Sequence, residues 1–387
     1  MKIIVFTGSR AEVFLQLPLW NILKHQFNVD IDVCFSYPDE ETKKIIEKIL
    51  NINHFKIIKS ISLINLKKEH CYRISKVLSE LNNLDLKQFD ASIVFADRYE
   101  SFGFSIATSQ IGLPLVHIEA GDITMGGTYD DNVRHAISSL ASLFITTNKK
   151  ASQVLNSNKL GRGRIINCGI FSSLDNNNLK DIDSLKKEFN LDISQKDQKI
   201  IIFTYHPLSS DQVNQTKELE QIKIAFEILS KKFNLRILFT GVNSDLGSDH
   251  VSLFIKGIKL INSKVSFHST LGAQNYLSLM NIGNSREVII MGNSSSIVKE
   301  VPFFSCKGLL IGKRQLGRLL GSNTYIADAN FADIVEKFQL IIESYWELKK
   351  VLNPYLKKNG AKRAAFFIYD KIKNNKKSVI NNQYLDI

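Results

Sequence analysis

The chain is short of several things, and each shortage removes a class of protein. Four cysteines among 387 residues, Cys34, Cys71, Cys168 and Cys306, lie scattered, with no Cys-x-x-Cys pair and no Cys/His zinc spacing. A disulfide scaffold and a structural zinc site are thereby excluded, and reduced thiols in a cytoplasmic protein are expected. Long hydrophobic runs are also missing. Stretches such as Ile3–Phe6 and Ile200–Phe203 are too short to span a bilayer, so no membrane span is expected. The opening MKIIVFTGSR is broken by Arg10 and reads as a first buried strand rather than a signal peptide. No aromatic-interleaved basic stripe or zinc finger is present, which argues against a nucleic-acid partner. No metal-ligand cluster stands out, and the expected metal and cofactor complement is none.

What is present is ample core material. Hydrophobic residues make up 44% of the chain, enough at this length for two domains, each with its own core. The formal charge of +12 sits largely in Lys-rich helices and in the tail from Lys357 to Lys377. A solvated lysine face explains most of it. A phosphate-bearing small substrate, met by a few placed arginines, also suits such a balance.

Short β-branched runs alternate with amphipathic stretches. Lys2–Thr7, Asp32–Ser36, Ala91–Ala96, Pro114–Ile118, Leu143–Thr147 and Ile165–Asn167 read as strands, with helices such as Glu40–Leu50 and Ser101–Ile111 between them. The polar stretch Ser172–Ser184 reads as a linker running into a helix. The pattern then restarts with Lys199–Tyr205, Arg236–Thr240, Glu287–Met291 and Gly308–Ile311. Near-continuous apolar strands separated by helices predict parallel sheets covered on both faces, here two in tandem. The expected boundaries are a first domain over 1–175, a second over 176–355, and a C-terminal helix and tail over 356–387.

In open parallel sheets, ligands sit beyond the carboxyl ends of the strands. Thr7-Gly8-Ser9-Arg10 could bring backbone N–H groups and a guanidinium to an anion, or could be a tight turn with a surface arginine. Asp97 and Arg98 end one buried strand and Glu119 the next, and charge there costs burial energy, which favours function over accident. Gly126 and Gly127 lead into Tyr129-Asp130-Asp131-Asn132-Val133-Arg134-His135. Asp131 reads as a helix-start residue, while Asp130 suits either that use or chemistry. His206, at a strand end before Pro207, suits donation to a phosphate or a leaving oxygen. Ser294, Ser295 and Ser296 follow Gly292-Asn293 and lead to Glu300, a run of hydroxyls beyond what capping needs. Arg314, in Gly312-Lys313-Arg314-Gln315, supplies a second guanidinium at a strand end.

Taken in order, GSRAE, FADRYE, HIEAGD, YDDNVRHAI, FTYHP, TGVNSD, YLSLM, GNSSS with Glu300, IGKRQLGR and the late NPY resemble the hydrolysing UDP-N-acetylglucosamine 2-epimerases, including enzymes of sialic-acid and legionaminic-acid pathways. The resemblance covers essentially the whole chain. It implies the GT-B fold, two Rossmann-like parallel-sheet α/β domains facing a cleft, with a last helix crossing back to the first domain, and a homodimer. It implies that Arg10, His206, Asn243, Ser294, Ser295, Glu300 and Arg314 hold the nucleotide. Glu300 would accept from the ribose hydroxyls, Arg10 and the Ser294–Ser296 amides would meet the diphosphate, and Arg314 would lie toward the phosphates or uracil. Asp97, Glu119 and Asp130 fall where the family keeps its catalytic carboxylates, with Arg98 beside them. The chain departs from the family at Val13-Phe14-Leu15-Gln16, at Ile297, where a glycine is usual, and in a longer stretch from Asn281 to Met291.

The implied substrate is UDP-N-acetylglucosamine or a UDP- or GDP-linked diacetamido-6-deoxy relative. The hydrogen on its acetamido-bearing carbon is only weakly acidic. Departure of the diphosphate, its charge met by Arg10, Arg314, His206 and helix N-termini, is the easier first step. The partly cationic ring then surrenders the neighbouring proton to a carboxylate, Asp97 or Glu119, and a second carboxylate directs water onto the glycal. A GT-B glycosyltransferase, a non-hydrolysing epimerase that keeps the nucleotide attached and a non-catalytic sugar-nucleotide-binding homologue are the competing readings.

Overall fold

The structure is a computed structural model. It describes the chain except residues 67–68, 126–129, 159, 161–163, 172–178, 192–196, 207–211, 242–253, 260–261, 263, 269, 283–287, 345–350 and 382–387. Asn243, Gly126, Gly127, Tyr129, Pro207 and most of the expected linker lie outside the described residues.

The chain divides into two compact units. The first, Met1–Ile123 with Asp130–Ser173 and Tyr355–Ile387, holds a seven-stranded sheet in the order β3-β2-β1-β4-β5-β6-β7. Its strands are β1 (Lys2–Thr7), β2 (Asp30–Tyr37), β3 (Lys56–Ser62), β4 (Ala91–Phe95), β5 (Leu115–Ile118), β6 (Leu143–Thr146) and β7 (Ile165–Asn167). The second, Leu174–Pro354 with Thr124–Tyr129, holds six strands in the order β10-β9-β8-β11-β12-β13. These are β8 (Lys199–Thr204), β9 (Leu235–Thr240), β10 (Val265–His268), β11 (Val288–Gly292), β12 (Lys307–Ile311) and β13 (Thr324–Ala327). Every pairing is parallel. Strand order reverses direction beside β1 and again beside β8, so the ends of β1 with β4, and of β8 with β11, are the points where ligands are expected.

Period-two alternation shows why these runs became central strands. On β1, Ile3 and Val5 enter one core cluster with Val13 and Trp20 of α1 (Arg10–Phe27), while Ile4 and Phe6 enter the opposite one. The opposite cluster takes Val77 and Leu81 from α3 (His70–Leu81), Phe104 from α4 (Tyr99–Gln110), and Val133 and Ile137 from α5 (Asp130–Leu140). Between α1 and α3 runs α2 (Glu40–Ile52), and α6 (Lys149–Ser157) follows β6. In the second unit, Ile201 and Phe203 of β8 pack with Ile222, Phe226 and Leu229 of the helix Gln212–Lys232. Phe203 sits at the centre of an aromatic group, its ring centroid 5.1 Å from Phe239 and 5.3 Å from Phe226.

Three strands escape the sequence pattern: β3, β10 and β13. All three lie at sheet edges, and most of their residues are only half-buried, so they carry no apolar run. The C-terminal helix, Gly360–Asn381, belongs to the first unit. Its Ala364, Ala365, Ile368 and Ile372 join the cluster that covers α1, and the Ile170 N–H donates to the Tyr355 carbonyl at 3.0 Å as the chain returns. Among the described residues no helix is long and apolar enough to cross a membrane.

Candidate functional site

The first unit gathers charge at the ends of its central strands. Residues Phe95 and Ile118 are paired across β4 and β5, and the Ala96 N–H donates to the Ile118 carbonyl at 2.9 Å. Asp97 and Glu119 therefore leave neighbouring strands side by side. Both turns are strained: Ala96 has φ 53° and Glu119 φ 61°. Each left-handed non-glycine residue costs roughly 1–2 kcal/mol, and such strain persists where surrounding bonds fix it. Glu119 is 5% exposed.

Helix α5 supplies what fixes them. Arg134, buried to 1% exposure, forms an ion pair through Nη2 with the Asp97 carboxylate. Its Nη1 donates to the Asp122 carbonyl at 2.9 Å and to Asp131 Oδ1 at 2.5 Å. Burial alone would lower the proton affinity of this guanidinium, but Asp97, Asp122, Asp131 and Asp130 together hold it charged. Asp131 is thus an ion-pair partner at the helix start, and Asp130 lies within the same field. One helical turn on, the Ser138 hydroxyl meets His117 Nδ1 at 3.0 Å, and His117 Nε2 meets the Ala96 carbonyl at 2.7 Å. A carbonyl only accepts, so Nε2 carries the hydrogen. Burial pushes the His117 imidazole down to about 4, which keeps it neutral and lets Nδ1 accept from Ser138.

Arg98 is placed differently from its neighbour. Its stem lies across Gly8, where a Cβ would sit 2.7 Å from Arg98 Nε and 2.8 Å from Cδ. The guanidinium faces buried carboxylates, with Nε 3.3 Å from Glu100 Oε2 and 3.8 Å from Glu12 Oε1. Arg73 Nη1 reaches the other Glu100 oxygen at 3.3 Å. Burial raises the Glu100 carboxyl, yet Arg98 and Arg73 outweigh it and hold it below its ordinary value. At Glu12 burial wins: the carboxyl is pushed up to about 7 against Arg98 and the Gly8 N–H, which donates to it at 2.7 Å. Arg10 is the first residue of α1, directly after the N-cap Ser9. The His70 ring stacks on Tyr99 with centroids 3.6 Å apart.

The second unit ends β8 and β11 in neutral groups, with the Arg314 guanidinium reaching them from beyond β12. Gly292 closes β11 with φ 129°, and a Cβ there would lie 2.0 Å from the Thr204 carbonyl oxygen, so only glycine fits. The next residue, Asn293, clamps His206. Its Oδ1 accepts from the His206 N–H at 2.6 Å and its Nδ2 donates to the His206 carbonyl at 2.8 Å. Arg314 Nη1 and Gln315 Nε2 both donate to the Asn293 carbonyl, at 3.3 and 3.1 Å. Burial and the Arg314 charge push the His206 imidazole down to about 3. Ser294 caps the helix Ser295–Lys299, accepting from the Ser296 N–H at 3.3 Å, and the Ser296 hydroxyl meets Ser294 Oγ at 3.0 Å and the half-buried Tyr276 hydroxyl at 2.7 Å. Glu300 is the C-cap of that helix. Ile297 is wholly buried and points to β12, where Gly308 leaves room: a Cβ there would be 3.0 Å from Ile297 Cγ2. The side chain that departs from the family pattern is therefore absorbed by the core.

Among the described residues no group of three or more His, Cys, Asp or Glu side chains could hold a metal ion. Arg134, His117, Glu12, Asn293 and Tyr276 were not singled out from the sequence. All five lie inside motifs that were: Arg134 one helical turn after Asp130, His117 and Glu12 two residues from Glu119 and Arg10, Asn293 beside Ser294, and Tyr276 at the start of YLSLM.

A sequence model of the UDP-N-acetylglucosamine 2-epimerase family matches residues 21–369. The chain is 28% identical over 351 residues to a Campylobacter jejuni GDP/UDP-N,N'-diacetylbacillosamine 2-epimerase (hydrolysing), covering 87% of this chain and 86% of that one. It is also 28% identical over 396 residues to the Escherichia coli polysialic acid biosynthesis protein P7, covering 97% and 95%. The Neisseria meningitidis UDP-GlcNAc 2-epimerase, solved bound to UDP-GlcNAc, superposes with a TM-score of 0.77 at 18% identity, covering 95% of this chain and 99% of that one. That likeness establishes the fold, two Rossmann-like parallel-sheet domains of the GT-B class. With the family's sequence pattern running from the first helix into the last, the chain belongs to the UDP-N-acetylglucosamine 2-epimerase family and is an epimerase.

Proposed function

We propose that the chain is a hydrolysing 2-epimerase. It converts a UDP-linked acetamido sugar, UDP-N-acetylglucosamine or a diacetamido-6-deoxy relative, to the free 2-epimer and the nucleoside diphosphate. The observation that carries this reading is the pair of carboxylates, Asp97 and Glu119, set on adjacent strand ends with Asp130 at the start of α5. Elimination and rehydration need one group to remove a proton and another to return one, whereas glycosyl transfer needs fewer bases. An ion pair with a buried guanidinium favours the ionised carboxylate. Asp97, paired to Arg134, is thus held as the anion. Glu119 takes the proton from the acetamido-bearing carbon, and Asp97 stays anionic beside the cationic ring.

In the second domain Arg314, Ser294, Ser295, Ser296 and the neutral His206 are the donors offered to the diphosphate. The hydroxyls, the neutral imidazole N–H and the guanidinium of Arg314 all donate hydrogen bonds to the departing charge, and only the guanidinium adds a positive charge of its own. Glu300 and Asn243 serve the nucleoside. Four cysteines that are all free thiols fit a reducing cytoplasm. We infer a homodimer from the family resemblance, which light scattering on a sizing column checks.

The reaction is tested in heavy water with UDP-N-acetylglucosamine and with UDP- and GDP-linked N,N'-diacetylbacillosamine. Deuterium should appear at the acetamido-bearing carbon of essentially every released sugar, with free nucleoside diphosphate in step and no acceptor added. A released gluco-configured sugar without deuterium at that carbon overturns the epimerase chemistry.

A further inference from the structure

Helix α5 does more than carry Asp130. Two of its residues one turn apart, Arg134 and Ser138, face the ends of β4 and β5: Arg134 pairs with the Asp97 carboxylate after β4, and Ser138 bonds the His117 ring on β5. Arg134 holds the Asp97 carboxylate directly and the Asp122 carbonyl at 2.9 Å. Ser138 fixes the ring of His117, and that ring donates to the carbonyl of Ala96, the left-handed residue that turns the chain into Asp97. The Ala96 N–H is already taken by Ile118. Both peptide groups of the strained turn are therefore bonded, and the carboxylate that follows is seized from the same helix.

We propose that Arg134 and His117 are positioning residues for Asp97: Arg134 anchors its carboxylate, and His117, held by Ser138, locks the left-handed Ala96 turn that aims it. Both act through Asp97 rather than on the sugar. The inference rests on the catalytic reading of Asp97 given above. It adds a helix-borne frame to that reading and gives a use to two fully buried polar side chains that the elimination chemistry itself leaves idle. A small displacement of a reacting group is enough to matter, since an error of about 1 Å can lower turnover by about a hundredfold.

The frame is tested by separating kcat from KM. His117→Phe removes the donor to Ala96, while His117→Gln returns an N–H near the position of Nε2. The Phe variant should lose at least about tenfold in kcat per folded molecule, with KM for the sugar nucleotide within about twofold. The Gln variant should recover much of the loss. Arg134→Lys keeps the charge but not the three-way fork, and should show the same kcat-only defect. A purely structural role would lower the melting temperature and the folded fraction without changing kcat per folded molecule. Wild-type kcat in folded His117→Phe or Arg134→Lys overturns the frame, as does a Gln variant no better than Phe. Should either variant fail to fold, Ser138→Ala carries the test. Removing the hydroxyl frees the ring, kcat should fall severalfold, and unchanged turnover refutes the strut. Asp97→Asn run alongside separates the two levels. If it is inactive while the frame variants are fully active, only this inference falls. If it is fully active, the catalytic reading beneath falls first.

Discussion

The two domains end their central strands in opposite styles. In the first, the ends of β1, β4 and β5 carry Glu12, Asp97, Arg98, Glu100 and Glu119, and most are locked in buried ion pairs over a strained backbone. In the second, the ends of β8 and β11 carry hydroxyls, an amide and a neutral imidazole, with Gly292 relieving the backbone. Buried charge is expensive and is kept only where each ion has its partner. The contrast separates two tasks. On the proposed reading, one domain keeps ionised groups for moving protons, and the other offers hydrogen-bond donors to an anion.

The sharpest way to break this division is to neutralise the stored charge. Asp97→Asn and Glu119→Gln are near-isosteric, and each should lower turnover by at least about a hundredfold, roughly 3 kcal/mol, while UDP binding measured by calorimetry survives. Lost UDP affinity in both variants would merge the two tasks into one domain.

Acid probes the neutral imidazoles. In the folded protein His117 titrates near 4 and His206 near 3, both below the ordinary histidine value of 6.5. The unfolded chain thus takes up these protons first. Stability is full above about 6.5 and declines as the pH falls toward 4 and then 3. For His117 alone the decline is at most about 3 kcal/mol. Chemical denaturation from pH 7 to 4 should show it, and His117→Gln should flatten the curve. An unchanged slope in that variant would move the acid sensitivity elsewhere.

The second domain is tested by Arg314→Ala and Ser294→Ala, each weakening UDP binding by about 1–2 kcal/mol with little change in turnover at saturation. The Arg314 contribution should shrink with added salt, because that side chain is half-exposed. Unchanged affinity in both would remove this domain from the nucleotide. The smallest expected effect lies in α1. Gln16 is fully buried and neither of its amide atoms has a hydrogen-bond partner. Gln16→Leu should raise unfolding stability by about 1 kcal/mol, read from the denaturation midpoint.

Much of this was legible in the sequence because central parallel strands are buried on both faces and print themselves as apolar runs. The ten strands expected are all found, with ends moved by at most two residues. β3, β10 and β13 were not legible because an edge strand with half-exposed side chains, such as Lys56–Ser62, alternates too weakly to stand out. At the sites, residues at strand ends announced themselves, since Asp97 and Glu119 interrupt apolar runs. Their partners did not. Arg134 is an ordinary arginine within an amphipathic helix until the fold brings Asp97 to it, a separation of 37 residues. Asn293 likewise reads as a turn residue until its amide closes on a backbone group 87 residues away. Covalent spacing reports which residues share a helix face or a strand end, and it is silent on which faces the fold opposes.

The return of the chain bears on how the protein is made. The first domain is assembled from pieces at both ends of the sequence, and Gly360–Asn381 completes the layer over α1. During synthesis, the sheet of β8 to β13 has emerged in full before residue 360 leaves the ribosome. The domain encoded second is therefore able to finish folding first. Until translation ends, the nascent first domain exposes the flank of α1 that the C-terminal helix covers, including Phe27, whose ring lies 5.0 Å from Tyr369, to chaperones and to neighbouring chains. A stalled or truncated message would release a polypeptide whose second domain is sound and whose first is unfinished.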